Sequence, residues 1–311
     1  MISINYIDEF DSIIDIDVHS YNAIYHGTQI DNRTESIIGA ASLKNANSLQ
    51  RVYYDDENFK LNIGDEKISL HELEKYFIER GNYNILIEST SLDLPEIIYI
   101  LTGIIKSNIK PKVDIIYLEP DDYNREYSQG VKEQEFHLSE KINRFKSLPL
   151  FSINTSQSDK AMLVVTLGFE SSRFGQLLSE DDGSSFRQIE AFIGVPAYKP
   201  GWENRCLYKH MKYLTTDTTT LRMFPASNPF AFIQQLDDLI SESNRRKLLF
   251  VSMGTKPAAI AISIFLINNK FKIEDEHEHS SQLGALYDFP VKSKNRSLGV
   301  GKIYKYTLSI K

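Results

Sequence analysis

Val113-Asp-Ile-Ile-Tyr117-Leu-Glu-Pro120 leads to Ser128-Gln-Gly130-Val131, and much later Leu286-Tyr287-Asp-Phe-Pro290 leads to Ser297-Leu-Gly299-Val300. Each copy follows an apolar run, a polar turn opening on a proline (Pro95, Pro257) and a long hydrophobic helix. Similarity at that spacing is the signature of a duplicated α/β half. A doubled fold carries an internal pseudo-twofold, and the crevice beside it is a natural ligand site.

Composition sets outer limits. The chain has 311 residues, 41% hydrophobic and 25% charged, enough for two domains with cores of their own. A net charge of −7 and pI of about 5.6 give no general attraction to polyphosphates, so non-specific nucleic-acid binding is not expected. The single cysteine, Cys206, has no intramolecular partner, and no secretory signal opens the chain. The longest apolar run, Pro257 to Ile267, is too short to span a bilayer. Together these predict a cytoplasmic protein without a membrane segment.

Working outward from the repeat, the first half predicts strands at Ser12 to Val18, Arg51 to Tyr54, Asn84 to Ile87 and Val113 to Leu118, the last pairing back with Gln134 to Leu138. Helices are expected from Ser69 to Arg80 and from Pro95 onward, where Leu94, Ile97, Ile98, Leu101 and Ile105 share a face. The second half repeats the order. It has strands at Met162 to Leu167, Ile189 to Ile193 and Leu248 to Val251, helices from Asn228 and Pro257, and a closing hairpin from Leu286 to Leu308. The predicted organisation is a first half over 1–146, a linker over 147–160 and a second half over 161–311. The predicted fold class is α/β: two Rossmann-like, open, mostly parallel sheets, each with helices on both faces and a terminal β-hairpin.

Two turns in the second half suit anions. Ser252-Met-Gly254-Thr255-Lys256-Pro257 places a glycine, a hydroxyl and a cation between a buried strand and a helix start, where amides and the helix dipole favour phosphate or carboxylate. Leu167-Gly168-Phe-Glu170-Ser171-Ser172-Arg173 follows the other buried strand, so both turns are expected on one rim. Arg173 can grip a phosphate in two-pronged fashion, or Glu170 can hold it as a local ion pair. The alternative for Lys256 is a solvated residue on a capped helix.

The matching first-half loops, His19 to Asn22 and Ser89 to Asp93, lack a cation, and Asp93 opposes an anion. Tyr198 and Trp202 can stack on a ligand or anchor their loop. His277 and His279 would share a strand face among acidic neighbours, but nothing supplies a second cluster, so no metal and no cofactor are assigned. Arg205 and His210 match a ribonuclease spacing that chance alone supplies about once.

The order of strand, Gly-Phe-Glu-Ser-Ser-Arg loop and helix, then a strand running into Gly254-Thr255-Lys256-Pro257, resembles the CRISPR-associated Rossmann-like sensor (CARF) domains over residues 161 to 308. Residues 12 to 140 join only through the repeat. The resemblance implies a pocket for cyclic oligonucleotides, lined here by Gly168, Ser171, Ser172, Arg173, Gly254, Thr255 and Lys256. The chain departs from the family in carrying the domain twice with no effector domain following. The expectation is a sensor or adaptor subunit in antiphage defence that binds a nucleotide or other phosphate-bearing ligand and signals to an effector or ATPase partner. The alternatives are a phosphoryl-transfer or nucleotide-cleaving enzyme using Lys256, Ser171 or Glu170, and an assembly subunit without a ligand.

Overall fold

The computed structural model describes all residues except 43–47, 127–134, 137, 157, 182–184, 244–246 and 272–281. It is a mixed α/β protein with two large sheets. The chain divides into two compact units, one made of Met1–Glu140 with Lys292–Lys311, the other of Lys141–Val291.

Unit 1 contains β1 (Ile2–Phe10), β2 (Ala23–His26), α1 (Asn32–Ser42), β3 (Leu49–Asp55), β4 (Lys60–Ile63), β5 (Glu66–Ser69), α2 (Leu73–Arg80), β6 (Asn84–Glu88), α3 (Leu94–Ser107) and β7 (Lys112–Tyr123). β8 (Arg125–Glu126), β9 (Glu135–Phe136) and β10 (Ser139–Lys141) follow. Unit 2 holds β11 (Lys146–Ser147), β12 (Ala161–Thr166), α4 (Ser171–Asp181), β13 (Phe186–Gly194), α5 (Trp202–Leu214), β14 (Thr219–Phe224), α6 (Pro229–Glu242), β15 (Leu248–Ser252), α7 (Lys256–Lys270) and β16 (Leu283–Tyr287). β17 (Val291–Lys292) and β18 (Ser297–Ile310) end the chain.

The sheets run β1-β18-β7-β6-β2-β3-β4-β5 and β11-β16-β15-β12-β13-β14. Within them, β7-β6-β2-β3 and β16-β15-β12-β13-β14 are parallel ladders connected in the same sense. In unit 2, α4 and α5 cover one face, where Phe174, Leu177 and Cys206 pack on Leu163, Val165, Ile189 and Ala191. The other face meets α6 and α7 through Phe192 on Phe232 and Phe250 on Phe265.

The serial division expected from the sequence is corrected at the C-terminus. β18 does not close a hairpin with β16; it lies antiparallel between β1 and β7, with Val300 opposite Pro120. β18 finds partners from Ser297 to Leu308 on β7 and from Ile303 to Ile310 on β1, whereas β16 already has β11 on one side and β15 on the other. The second copy is therefore split: Leu286 and Tyr287 stay in the sheet of β16, while Ser297 to Val300 pair with the first copy on β7, and residues 292–311 belong to unit 1. The first copy's turn, Ser128 to Val131, lies outside the described residues. Past it, Glu135 and Phe136 pair with Glu126 and Arg125, not with β7. The expected linker 147–160 is packed at its start, where Leu148 and Phe151 are buried and exchange backbone hydrogen bonds with Ala285.

Local chemistry explains the elements. α3 starts with a capping box between Asp93 and Glu96 and a proline in its first turn, and Leu94, Ile97, Ile98 and Leu101 are all buried as expected. Ser12 to Val18 is not a strand. The Ser12 hydroxyl accepts from the Ile14 amide and the Asp17 carboxylate from the His19 amide, giving two 3-10 turns instead. The parallel strand comes later, at β2, and β1 precedes it unforeseen.

Candidate functional site

From β12 the chain crosses through α4 to β13 on one side, whereas from β15 it crosses through α7 to β16 on the other. The boundary between β12 and β15 is thus a topological switch point, the place at the carboxyl ends of the strands where open α/β sheets bind ligands. Both anion-friendly turns emerge there.

The two turns are laced together. The Met253 amide donates to the Thr166 carbonyl (3.0 Å) and the Gly254 amide to the Thr166 hydroxyl (3.3 Å). A side chain at Gly168 would collide with the Met253 carbonyl, and one at Gly254 would stand 3.2 Å from the Leu167 carbonyl. Both glycines therefore permit loop-to-loop contact first. Thr255 occupies the cap position of α7 but makes no side-chain capping bond, because its hydroxyl donates to the Ala226 carbonyl at 3.0 Å. Lys256, half-buried, opens α7 and is followed by Pro257. On the other turn, half-buried Ser171 and exposed Ser172 open α4, and the carbonyl of half-buried Glu170 accepts from the Arg173 amide at 3.2 Å.

Arg173 is not available to a phosphate in the way its sequence position suggests. It is buried, and its Nε and Nη2 donate to the two carboxylate oxygens of fully buried Asp288 at 2.7 and 2.6 Å. Burial opposes its charge, but the hydrogen bonds and proximity of Asp288 outweigh burial and raise its pKa further. The acid that holds it is Asp288, just past β16, and not Glu170 alone.

Neighbouring candidates make contacts within the protein. Trp202 is buried and meets Phe169 edge-on at 5.5 Å, bracing the Gly168 turn, and the Tyr198 hydroxyl donates to the Ala226 carbonyl. Cys206 is 3.0 Å from the Gly168 carbonyl, and burial pushes its thiol up to about 12. His210 is fully buried and its pKa is lowered by burial, so the Arg205–His210 spacing forms no exposed acid–base pair. His277 and His279 lie outside the described residues, among which no group of three or more metal-ligating side chains occurs.

Unit 1 has its own switch point, between β2 and β6. The loop on that rim is the one after β2, starting at Gly27. His19 to Asn22 precede β2 and sit at its amino end, where Asn22 bonds Asn84, which corrects the sequence expectation. Gly27 donates to the Ser91 hydroxyl at 2.7 Å, and a side chain on it would stand 2.5 Å from the Ser91 carbonyl. The fully buried carboxylate of Glu88 accepts from the amides of Thr90 (2.8 Å) and Ser91 (3.1 Å) and from the Ser91 hydroxyl. Cations do reach this rim: Lys292 pairs with Asp93 at 2.8 Å and donates to the Ser91 carbonyl, and buried Arg33 bonds Asp31, Ser297 and the Leu118 carbonyl. Lys292 escaped the sequence reading because it comes from the far end of the chain, and Arg33 because its partners Ser297 and Leu118 lie far from it in sequence.

Among the described residues no helix is long and apolar enough to cross a membrane. Compared with models of known protein families and with curated proteins, the chain matches none.

Proposed function

We propose that unit 2 binds a nucleotide or a related phosphate-bearing ligand at the β12–β15 switch point, and that the protein is a sensor or adaptor subunit reporting that state to a protein partner. We read the two parallel ladders as copies of one Rossmann-like half, of which the second keeps the binding rim. The observation that carries this reading is that α4 and α7 both start from the carboxyl ends of adjacent parallel strands, with Lys256 first in α7 and the α7 cap hydroxyl engaged elsewhere. Helix starts favour anions through oriented amides and the dipole. The CARF-like order of elements makes cyclic oligonucleotides the first ligands to test, and an effector or ATPase in antiphage defence the first kind of partner. Unit 1, whose rim carboxylates and cations satisfy one another, acts as scaffold.

Titration calorimetry with cyclic oligonucleotides and mononucleotides tests the proposal. Binding is expected, weakened about tenfold by Lys256→Ala, equivalent to ~1.4 kcal/mol. No heat with any of these ligands, or binding indifferent to Lys256→Ala, rejects it.

A further inference from the structure

We infer that β14 is the seam of a homodimer, pairing antiparallel with β14 of a second copy about a twofold axis through Leu221. The ladder fixes which backbone groups face outward. The Ile189 amide donates to the Thr218 carbonyl and the Val195 amide to the Phe224 carbonyl, in a parallel register of Ile189 with Thr219 and Ile193 with Met223. Thr220, Arg222 and Phe224 therefore turn their amides and carbonyls toward β13, while those of Leu221 and Met223 point away. Among the described residues β14 has no strand on that side.

Among the described residues no strand, proline or bulge blunts this edge between Leu221 and Met223. Protected edges carry charges, prolines or bulges, and β1, an edge of the other sheet, has a register shift between Ile4 and Tyr6 and carries Asp8 and Glu9. At the outward positions of β14 stand Leu221, 37% exposed, and Met223, 53% exposed. The charge on the strand, Arg222, is drawn to the opposite face by Glu190 (2.8 Å) and Glu242 (2.7 Å). α5 lies on the same face as Leu221 and Met223, and its Tyr208 and Met211 are exposed one turn apart.

A second copy fits because the strand complements itself. With Leu221 opposite Leu221, the two residues exchange a pair of hydrogen bonds. Each Met223 amide meets the carbonyl of Thr219 in the other copy, whose own amide is already bonded to Thr216. Arg222 then faces Thr220. Shifting the axis to Arg222 would set two guanidinium groups against each other, which is unfavourable, so the sequence selects the Leu221 register.

Sedimentation velocity of the full chain over a concentration series provides the test. A monomer–dimer equilibrium is expected, with the dissociation constant raised about tenfold or more by Met223→Pro, which deletes an outward amide and leaves the β13 ladder intact. Leu221→Lys is expected to do the same, with circular dichroism confirming that both variants fold. Cys206, the single native cysteine, is buried. Leu221→Cys should therefore cross-link to itself on mild oxidation, and the exposed control Phe230→Cys should not. A monomer at every concentration, including one that captures a different extended peptide on this edge, overturns the proposal. So does a dimer indifferent to both edge variants, or cross-linking through Phe230→Cys but not Leu221→Cys.

Discussion

The two switch points share a backbone design and differ in what fills them. In both, a glycine after the first parallel strand presses on a carbonyl just before the last helix: Gly27 on Ser91, Gly168 on Met253. In both, an arginine early in the next helix is buried on an acid, Arg33 on Asp31 and Arg173 on Asp288. Unit 1 then closes its rim with Glu88 beneath the loop and Lys292 on Asp93, whereas unit 2 has Ser252 where β15 ends, a capless threonine and Lys256. Matching glycines and buried arginines belong to the fold, and the unmatched groups are where function is to be sought. Arg173 accordingly spends its two-pronged hydrogen bonding on Asp288.

The buried ion pair offers the largest break. Arg173→Met leaves the Asp288 side chain fully buried without the two guanidinium donors that hold it, and breaking such a pair costs about 3–5 kcal/mol. Chemical denaturation should show that loss, and the double variant Arg173→Met with Asp288→Leu should recover most of it. If Arg173→Met instead leaves stability intact and removes only ligand binding, the comparison fails and Arg173 is a ligand residue after all.

The glycines give the next effect. A methyl group at either Gly27 or Gly168 meets backbone oxygen, which cannot rotate aside, so the loops must part at a cost of about 1–3 kcal/mol. Thermal unfolding of Gly27→Ala and Gly168→Ala should give losses of similar size, while only Gly168→Ala also lowers ligand affinity. Equal loss of affinity from both would mean that unit 1 contributes to the site.

What the sequence made legible follows from the range of each interaction. α3 and α7 were readable because an apolar run with proline in its first turn is local information. The adjacency of the two unit 2 loops was readable because two short buried strands bracket them. Long-range pairing left no such mark: Asp288 reaches Arg173 across 115 residues, Lys292 reaches Ser91 across 201, and β18 joins a sheet begun at the other terminus. The repeat itself misled on domain order, since a motif that recurs need not pair within its own copy. Ser12 to Val18 misled for a different reason, side-chain oxygens taking amides that a strand would have used.

The smallest effect is a pH dependence at the Arg33 site. Burial works to raise the pKa of Asp31, but Arg33, Ser297 and the Thr34 amide together win and hold it below the ordinary carboxylate range. A carboxylate depressed in the folded state contributes stability above its unfolded pKa and loses it as pH falls through the folded value. Stability should therefore decline below about pH 4 in part through this group. Asp31→Asn should lower stability near neutrality and flatten that decline, measured as denaturation midpoints across the acid range. An unchanged acid slope would show that Arg33 is held by Ser297 and the Leu118 carbonyl rather than by the carboxylate, and the likeness between the two buried arginines would then be one of position only.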